Sequence, residues 1–92
     1  MNTRRRALPP GWYPSDERSV GGLIEEWNAE PPPTGALAAV APHAGWAFSG
    51  RLAVKAAFAL RAAETVVVVG GHLPDGYPVL IAPEKSFETP LG

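Results

Sequence analysis

The chain is expected to be an α/β protein: a βαβ portion of a mainly parallel sheet flanked by helices, incomplete as a fold. Three observations predict this. Thr65-Val66-Val67-Val68-Val69 carries four consecutive valines, which need cover on both faces, as in the parallel sheets of α/β proteins. Residues 36–41 form a second short apolar run, and a helix-like stretch separates the two. Each run is followed closely by one of the chain's two histidines, His43 and His72.

Composition bounds the rest. The 92 residues allow one small domain, read here as a single partial domain spanning 1–92. A hydrophobic fraction of 46% argues against wholesale disorder. The 10 glycines and 11 prolines fall mostly between apolar runs and mark turns. A net charge of −1 provides no field for nucleic acid or an anionic membrane. Arg4-Arg5-Arg6 is too short for a polybasic arm and reads as a solvated terminus. Pro9 and Pro10 interrupt any signal-peptide core, and no apolar run approaches the roughly 18 residues of a membrane span. Neither nucleic acid nor membrane is expected as a partner, and a cytoplasmic location is the default. With no cysteine, any metal site must draw on His, Asp or Glu.

Along the chain, residues 1–14 are expected to be extended, packing Trp12 and Tyr13 against the body. Ser15 is the expected cap of a first helix, with Asp16 and Glu17 favourable near its positive end. Val20, Leu23, Ile24 and Trp27 recur at helical spacing and form one apolar stripe. Gly21 and Gly22 weaken that helix, and Pro31-Pro32-Pro33 ends it. Residues 36–41 are the first expected strand. Ser49 or Gly50 is expected to open the second helix, with Leu52, Ala56, Ala59, Leu60 and Ala63 inward and Arg51, Lys55 and Ala62 outward. Thr65–Val69 is the second strand and Pro78–Ala82 a third. Two helices cannot cover both faces of such a sheet, so either other chains supply the cover or, as favoured here, further chain downstream is expected.

In open α/β sheets, ligands bind beyond the carboxyl ends of the strands. A strand–helix–strand unit would bring His43 and His72 to one rim. Imidazole is both a common metal ligand and a proton carrier near neutral pH. The expected site is therefore His43 and His72 as a catalytic, metal-ligating pair. Pro42 fixes the backbone before His43, Gly45 permits a tight turn, and Trp46 sits on the same loop. Gly70 and Gly71 leave room for a ligand beside His72. A single His after a strand is more often a hydrogen-bonded structural residue; two at equivalent positions favour function. Zinc or iron needs a third protein ligand. Asp75 is the nearest carboxylate, but Asp75-Gly76 reads as a turn, and Glu84 and Glu88 read as solvated. Gly70-Gly71 belongs to no phosphate-loop pattern. Trp12, Tyr13, Trp46 and Phe48 could stack a ligand, though core packing is the default for such aromatics.

Four stretches resemble the Memo family: Gly11-Trp12-Tyr13-Pro14, Ala41-Pro42-His43-Ala44-Gly45-Trp46-Ala47-Phe48-Ser49-Gly50, Val68-Val69-Gly70-Gly71-His72 and Thr89-Pro90-Leu91-Gly92. The family includes the proteins called AmmeMemoRadiSam system protein B. The order and spacing agree across nearly the whole chain, and the middle block is the specific one. The resemblance implies a fold similar to the class III extradiol dioxygenases and a site whose first two histidines match His43 and His72. Its other Asp, His and Cys residues would lie beyond Gly92. The family usually has Gly-Pro-[Asn/Ser]-His after the second strand; here Gly70-Gly71-His72 is one residue shorter, and Leu73 stands where another histidine often follows. The resemblance also implies iron or copper, redox or dioxygenase-like chemistry, and association with a radical SAM protein and an AMMECR-type protein. The alternatives are a non-catalytic module binding a small molecule or peptide, and an inactive fragment.

Overall fold

The computed structural model describes residues 2–92. Its elements run β1 (Thr3–Arg4), α1 (Glu17–Trp27), α2 (Trp46–Ala59) and β2 (Ser86–Phe87). β1 and β2 pair in parallel, with Thr3 opposite Ser86 and Arg4 opposite Phe87. The architecture is α/β, with an open two-stranded parallel sheet whose connection carries both helices.

α1 follows its apolar stripe. Val20 is buried, and Leu23, Ile24 and Trp27 are half-buried beside it. The cap is Asp16 rather than Ser15: its carboxylate accepts the Ser19 amide proton at 2.8 Å. That bond holds the Asp16 carboxyl below its ordinary value, as expected for an anion at a helix start. The Asn28 amide closes the helix on the carbonyls of Ile24 and Glu26, before the prolines are reached.

α2 begins at Trp46, earlier than the expected Ser49 or Gly50, and this shift rotates its inner face. The buried positions are Ser49, Gly50 and Val54, whereas Leu52 is exposed. The physical reason is contact with α1. A Cβ at Gly50 would lie 2.5 Å from Cζ3 and 2.7 Å from Cη2 of Trp27. The missing side chain is what lets the indole lie on α2. Trp46 packs on the other side of that ring, with centroids 5.9 Å apart, within the range of favourable tilted aromatic pairs. The Ser49 hydroxyl donates to the Ala44 carbonyl at 3.1 Å, tying the first turn to the preceding loop. At the far end the Lys55 ammonium reaches the Glu30 carbonyl.

The three expected strands form no ladder. Residues 36–41, Thr65–Val69 and Pro78–Ala82 join no strand pair, apart from one parallel bridge between Ala36 and Leu60. A ladder needs a hydrogen-bonded neighbour, and none of these segments has one along its length. Their apolar side chains stand open: Val68 is 90% exposed and Ile81 91%. Valine content alone therefore does not make the sheet.

The observed sheet is instead built from Thr3, Arg4, Ser86 and Phe87, with charged side chains beside it. Arg4 donates through Nε and Nη2 to one Glu84 oxygen at 3.0 and 2.8 Å. Arg5 reaches Glu88 at 3.1 Å, and the Arg6 amide donates to the other Glu88 oxygen. The arginine run is thus paired with the two glutamates rather than left as a free solvated terminus. Beyond β2, Thr89 and Gly92 exchange backbone bonds at 3.0 and 3.1 Å, closing the Thr-Pro-Leu-Gly turn.

Two predictions follow from this packing. Replacing Gly50 by Ala would gain about 1 kcal/mol in helix propensity, but overpacking against a held ring costs about 1–3 kcal/mol. Gly50→Ala is therefore expected to destabilise, whereas Gly21→Ala, with nothing within 4 Å of its added Cβ, is expected to stabilise by about 0.5–1 kcal/mol. Urea unfolding of both variants checks the opposite signs. The second prediction concerns pH. The Arg4 side chain holds the Glu84 carboxyl below its ordinary 4.5. The Arg6 amide, followed by Arg5, does the same for Glu88. A depressed carboxyl stabilises the fold above its unfolded value and loses that contribution as pH falls. The β1–β2 pair should open as pH drops below 4.5, seen as loss of the Thr3–Ser86 contact by NMR, and Glu84→Gln should flatten that transition.

Candidate functional site

The loop before α2 and the irregular stretch after the valine run bring the two histidines together. The His43 and His72 ring centroids lie 5.0 Å apart, with planes at 85°. Both rings are exposed. His72 has φ = 75° and is the non-glycine residue held in the left-handed region. Such a conformation costs on the order of 1–3 kcal/mol and clusters at functional sites.

The imidazoles open onto a cavity of about 960 Å³, within the range typical of ligand sites. Pro42, Ala44 and Gly45 flank His43 on one wall. Pro10, Gly11 and Trp12 supply the opposite wall, and Phe48 projects from the first turn of α2. The two walls are tied by the Trp46 amide, which donates to the Trp12 carbonyl at 2.8 Å. No ionisable side chain other than the imidazoles lines the space.

Of the residues expected to shape the pocket, Pro42 and Gly45 line this cavity. Trp46, Gly70 and Gly71 do not. Trp46 is turned inward by α2, between Trp27 at 5.9 Å and Tyr13 at 6.3 Å. Gly45 lies outside the left-handed region and caps α2 without a side-chain bond. A Cβ there would meet Phe48 and the Trp12 carbonyl at 3.7 Å, an ordinary contact. Gly70 and Gly71 face open space and also lie outside the left-handed region; the strain falls on His72 instead.

Sequence reasoning missed Pro10, Gly11 and Ala44 as lining residues, and gave core packing as the default for Trp12 and Phe48, which line the cavity. One usable signal was helix phase. With Trp46 and Gly50 four apart on the inner face, Phe48 must point away from it.

The arrangement suits a metal through its donor chemistry. Two imidazoles binding one ion tetrahedrally, with metal–nitrogen bonds of about 2.0–2.1 Å, set their ring centres roughly 5 Å apart. The observed spacing matches. Among the described residues no group of three or more His, Cys, Asp or Glu side chains gathers at one point. The grouping here is the His43–His72 pair alone. Asp75 sits in a turn, and Glu84 and Glu88 are engaged by arginines. No helix is long and apolar enough to cross a membrane among the described residues.

Known proteins place this geometry in context. A MEMO1 family protein of Archaeoglobus fulgidus is 37% identical over 90 residues, covering 97% of this chain and 34% of its own length. Another, from Desulfurococcus amylolyticus, is 40% identical over 106 residues, covering 97% and 38%. A third, from Thermococcus kodakarensis, is 37% identical over 100 residues, covering 97% and 33%. The chain therefore spans about a third of the length of these curated relatives. No solved structure matches it. The family model described as Memo-like protein matches residues 4–92, a span that holds both histidines and both walls of the cavity, and the chain belongs to the Memo family.

Proposed function

We propose that the protein is a metal-binding, redox-type member of the Memo family, in which His43 and His72 are two ligands of one ion. The observation that carries this reading is the 5.0 Å edge-to-face pairing of the chain's only two imidazoles, a spacing at which two rings can share one ion. Neutral imidazole suits iron and copper alike, so either ion fits the donor set, and a bound ion would supply one-electron chemistry at the cavity floor. The chain's own residues do the rest. His72 is held by its left-handed backbone, His43 by the loop that Ser49 and Trp12 anchor. Pro10, Trp12 and Phe48 give the cavity apolar walls that restrict water around a bound molecule. A dioxygenase-like reaction belongs to this reading only through likeness of fold.

A second reading is favoured by the same walls. The cavity offers aromatic faces and no ionisable side chain beyond the imidazoles, which suits a non-catalytic module for a small molecule or peptide. Chelation separates the two, because module binding survives removal of metal.

Two outcomes are expected. Titration with ferrous or cupric ion should saturate near one ion per chain, and His43→Ala and His72→Ala should each weaken binding at least tenfold, read by calorimetry. Equal uptake by wild type and both variants would reject the pair as ligands. His72→Gly should also lose affinity while raising stability, since glycine tolerates the left-handed backbone; a circular-dichroism melt beside the metal titration reads both signs.

A further inference from the structure

All three tryptophans of the chain and one of its two tyrosines gather where the imidazole cavity meets the helix pair. Trp12 lines the cavity together with His43 and His72. Its carbonyl accepts the Trp46 amide proton at 2.8 Å, and Tyr13 is the next residue. The Tyr13 and Trp46 ring centroids lie 6.3 Å apart at 45°, those of Trp46 and Trp27 5.9 Å apart at 51°. Both pairs fall within the range of aromatic rings in contact. Gly50 admits the second pair, because a Cβ there would stand 2.5 Å from the Trp27 ring.

Packing by itself does not select these ring types. Phenylalanine fills such a space with no polar edge to satisfy, yet the three phenylalanines, Phe48, Phe58 and Phe87, are all exposed. The half-buried aromatic positions between strap and helices are Tyr13, Trp27 and Trp46. Indole and phenol each yield one electron far more readily than a phenyl ring does. Electron transfer weakens steeply with distance, so rings in contact pass an electron where isolated ones do not. Among the described residues no buried, unpaired polar atom belongs to these rings, and the Tyr13 phenol proton therefore exchanges with water.

We propose that this cluster is an electron relay: an oxidising equivalent formed at the imidazole pair leaves the cavity through Trp12 and Trp46 and comes to rest on Tyr13. Trp27 is a second ring on which Trp46 can share the charge. The proposal rests on the reading of His43 and His72 as a metal site, and its co-reactant is a peroxide. Peroxide takes up two electrons and two protons to give two waters. One electron comes from a ferrous ion held by the imidazoles, which becomes ferric. The other comes from Tyr13 with its phenol proton, leaving a neutral phenoxyl radical, and water supplies the second proton. Iron acting alone would leave a hydroxyl radical beside His43; the relay supplies the electron that prevents it.

The test has two arms, both read by electron paramagnetic resonance on the 92-residue chain. In the first, a ruthenium–bipyridyl photo-oxidant is attached to His72 of His43→Ala, where His72 is the one remaining imidazole; this arm needs no metal uptake. In the second, the unlabelled chain receives ferrous ion and hydrogen peroxide. A tyrosyl radical is expected in both. Tyr13→Phe should replace it with a tryptophanyl signal, Tyr77→Phe should retain it, and Trp46→Phe should cut its yield at least tenfold. Where Trp46→Phe loses helix content by circular dichroism, tetrafluorotryptophan in place of the three indoles raises their potentials at nearly unchanged shape and should lower the yield alike. A tyrosyl radical that survives Tyr13→Phe, or an undiminished yield in folded Trp46→Phe, overturns the relay. So does a folded, labelled chain that gives no radical on illumination, whatever iron does. A Tyr13 radical from the photo-oxidant with none from iron and peroxide supports the relay and rejects the metal reading.

Discussion

The arrangement of this chain depends on one missing atom group, the side chain at position 50. Because Gly50 has no Cβ, the Trp27 indole lies directly on α2 and joins the two helices. That contact sets the phase of α2. Trp46, four residues earlier, turns inward onto the same indole. Phe48, two residues from each, faces the opposite way and becomes a cavity wall. The loop carrying His43 is then held from both sides, by Ser49 through Ala44 and by Trp12 through the Trp46 amide. A packing decision inside the helix pair thereby places a functional side chain outside it.

The helices were legible in the sequence because their signals are local. The Val20–Trp27 stripe and the acidic first turn lie within a few turns, and the helix ends at Asn28, before the prolines expected to stop it. The cap moved by one residue, from Ser15 to Asp16, since both side chains can accept an amide proton. α2 was harder. Trp46 reads as a loop aromatic beside a histidine, and only contact with Trp27 reveals it as the start of the helix. Tertiary contact, not propensity, sets that boundary.

The sheet was legible in class but not in place. Four valines in a row specify burial on both faces, yet a ladder also requires a neighbouring edge, and a sequence does not state which edge that is. Thr65–Val69 has the side chains of a central strand and no partner along it. Thr3–Arg4 and Ser86–Phe87 have the opposite character: little apolar pattern, but complementary charges beside them at Arg4–Glu84 and Arg5–Glu88. Nothing local announces a pairing between residues more than 80 positions apart. The ion pairs that make it are surface pairs, weak singly and effective here as a cluster with two shared glutamates.

The juxtaposition of the histidines survives the absence of the ladders expected to produce it. Strand-end logic places His43 and His72 at one rim because adjacent parallel strands end together. In the structure the same rim is reached without pairing between the two segments, which meet only through the Ala36–Leu60 bridge and the imidazoles themselves. His72 reaches that pairing with its backbone at positive φ, and the loop carrying His43 is held by the Ser49 hydroxyl and the Trp46 amide. The site geometry is thus carried by the loops and α2 rather than by a ladder.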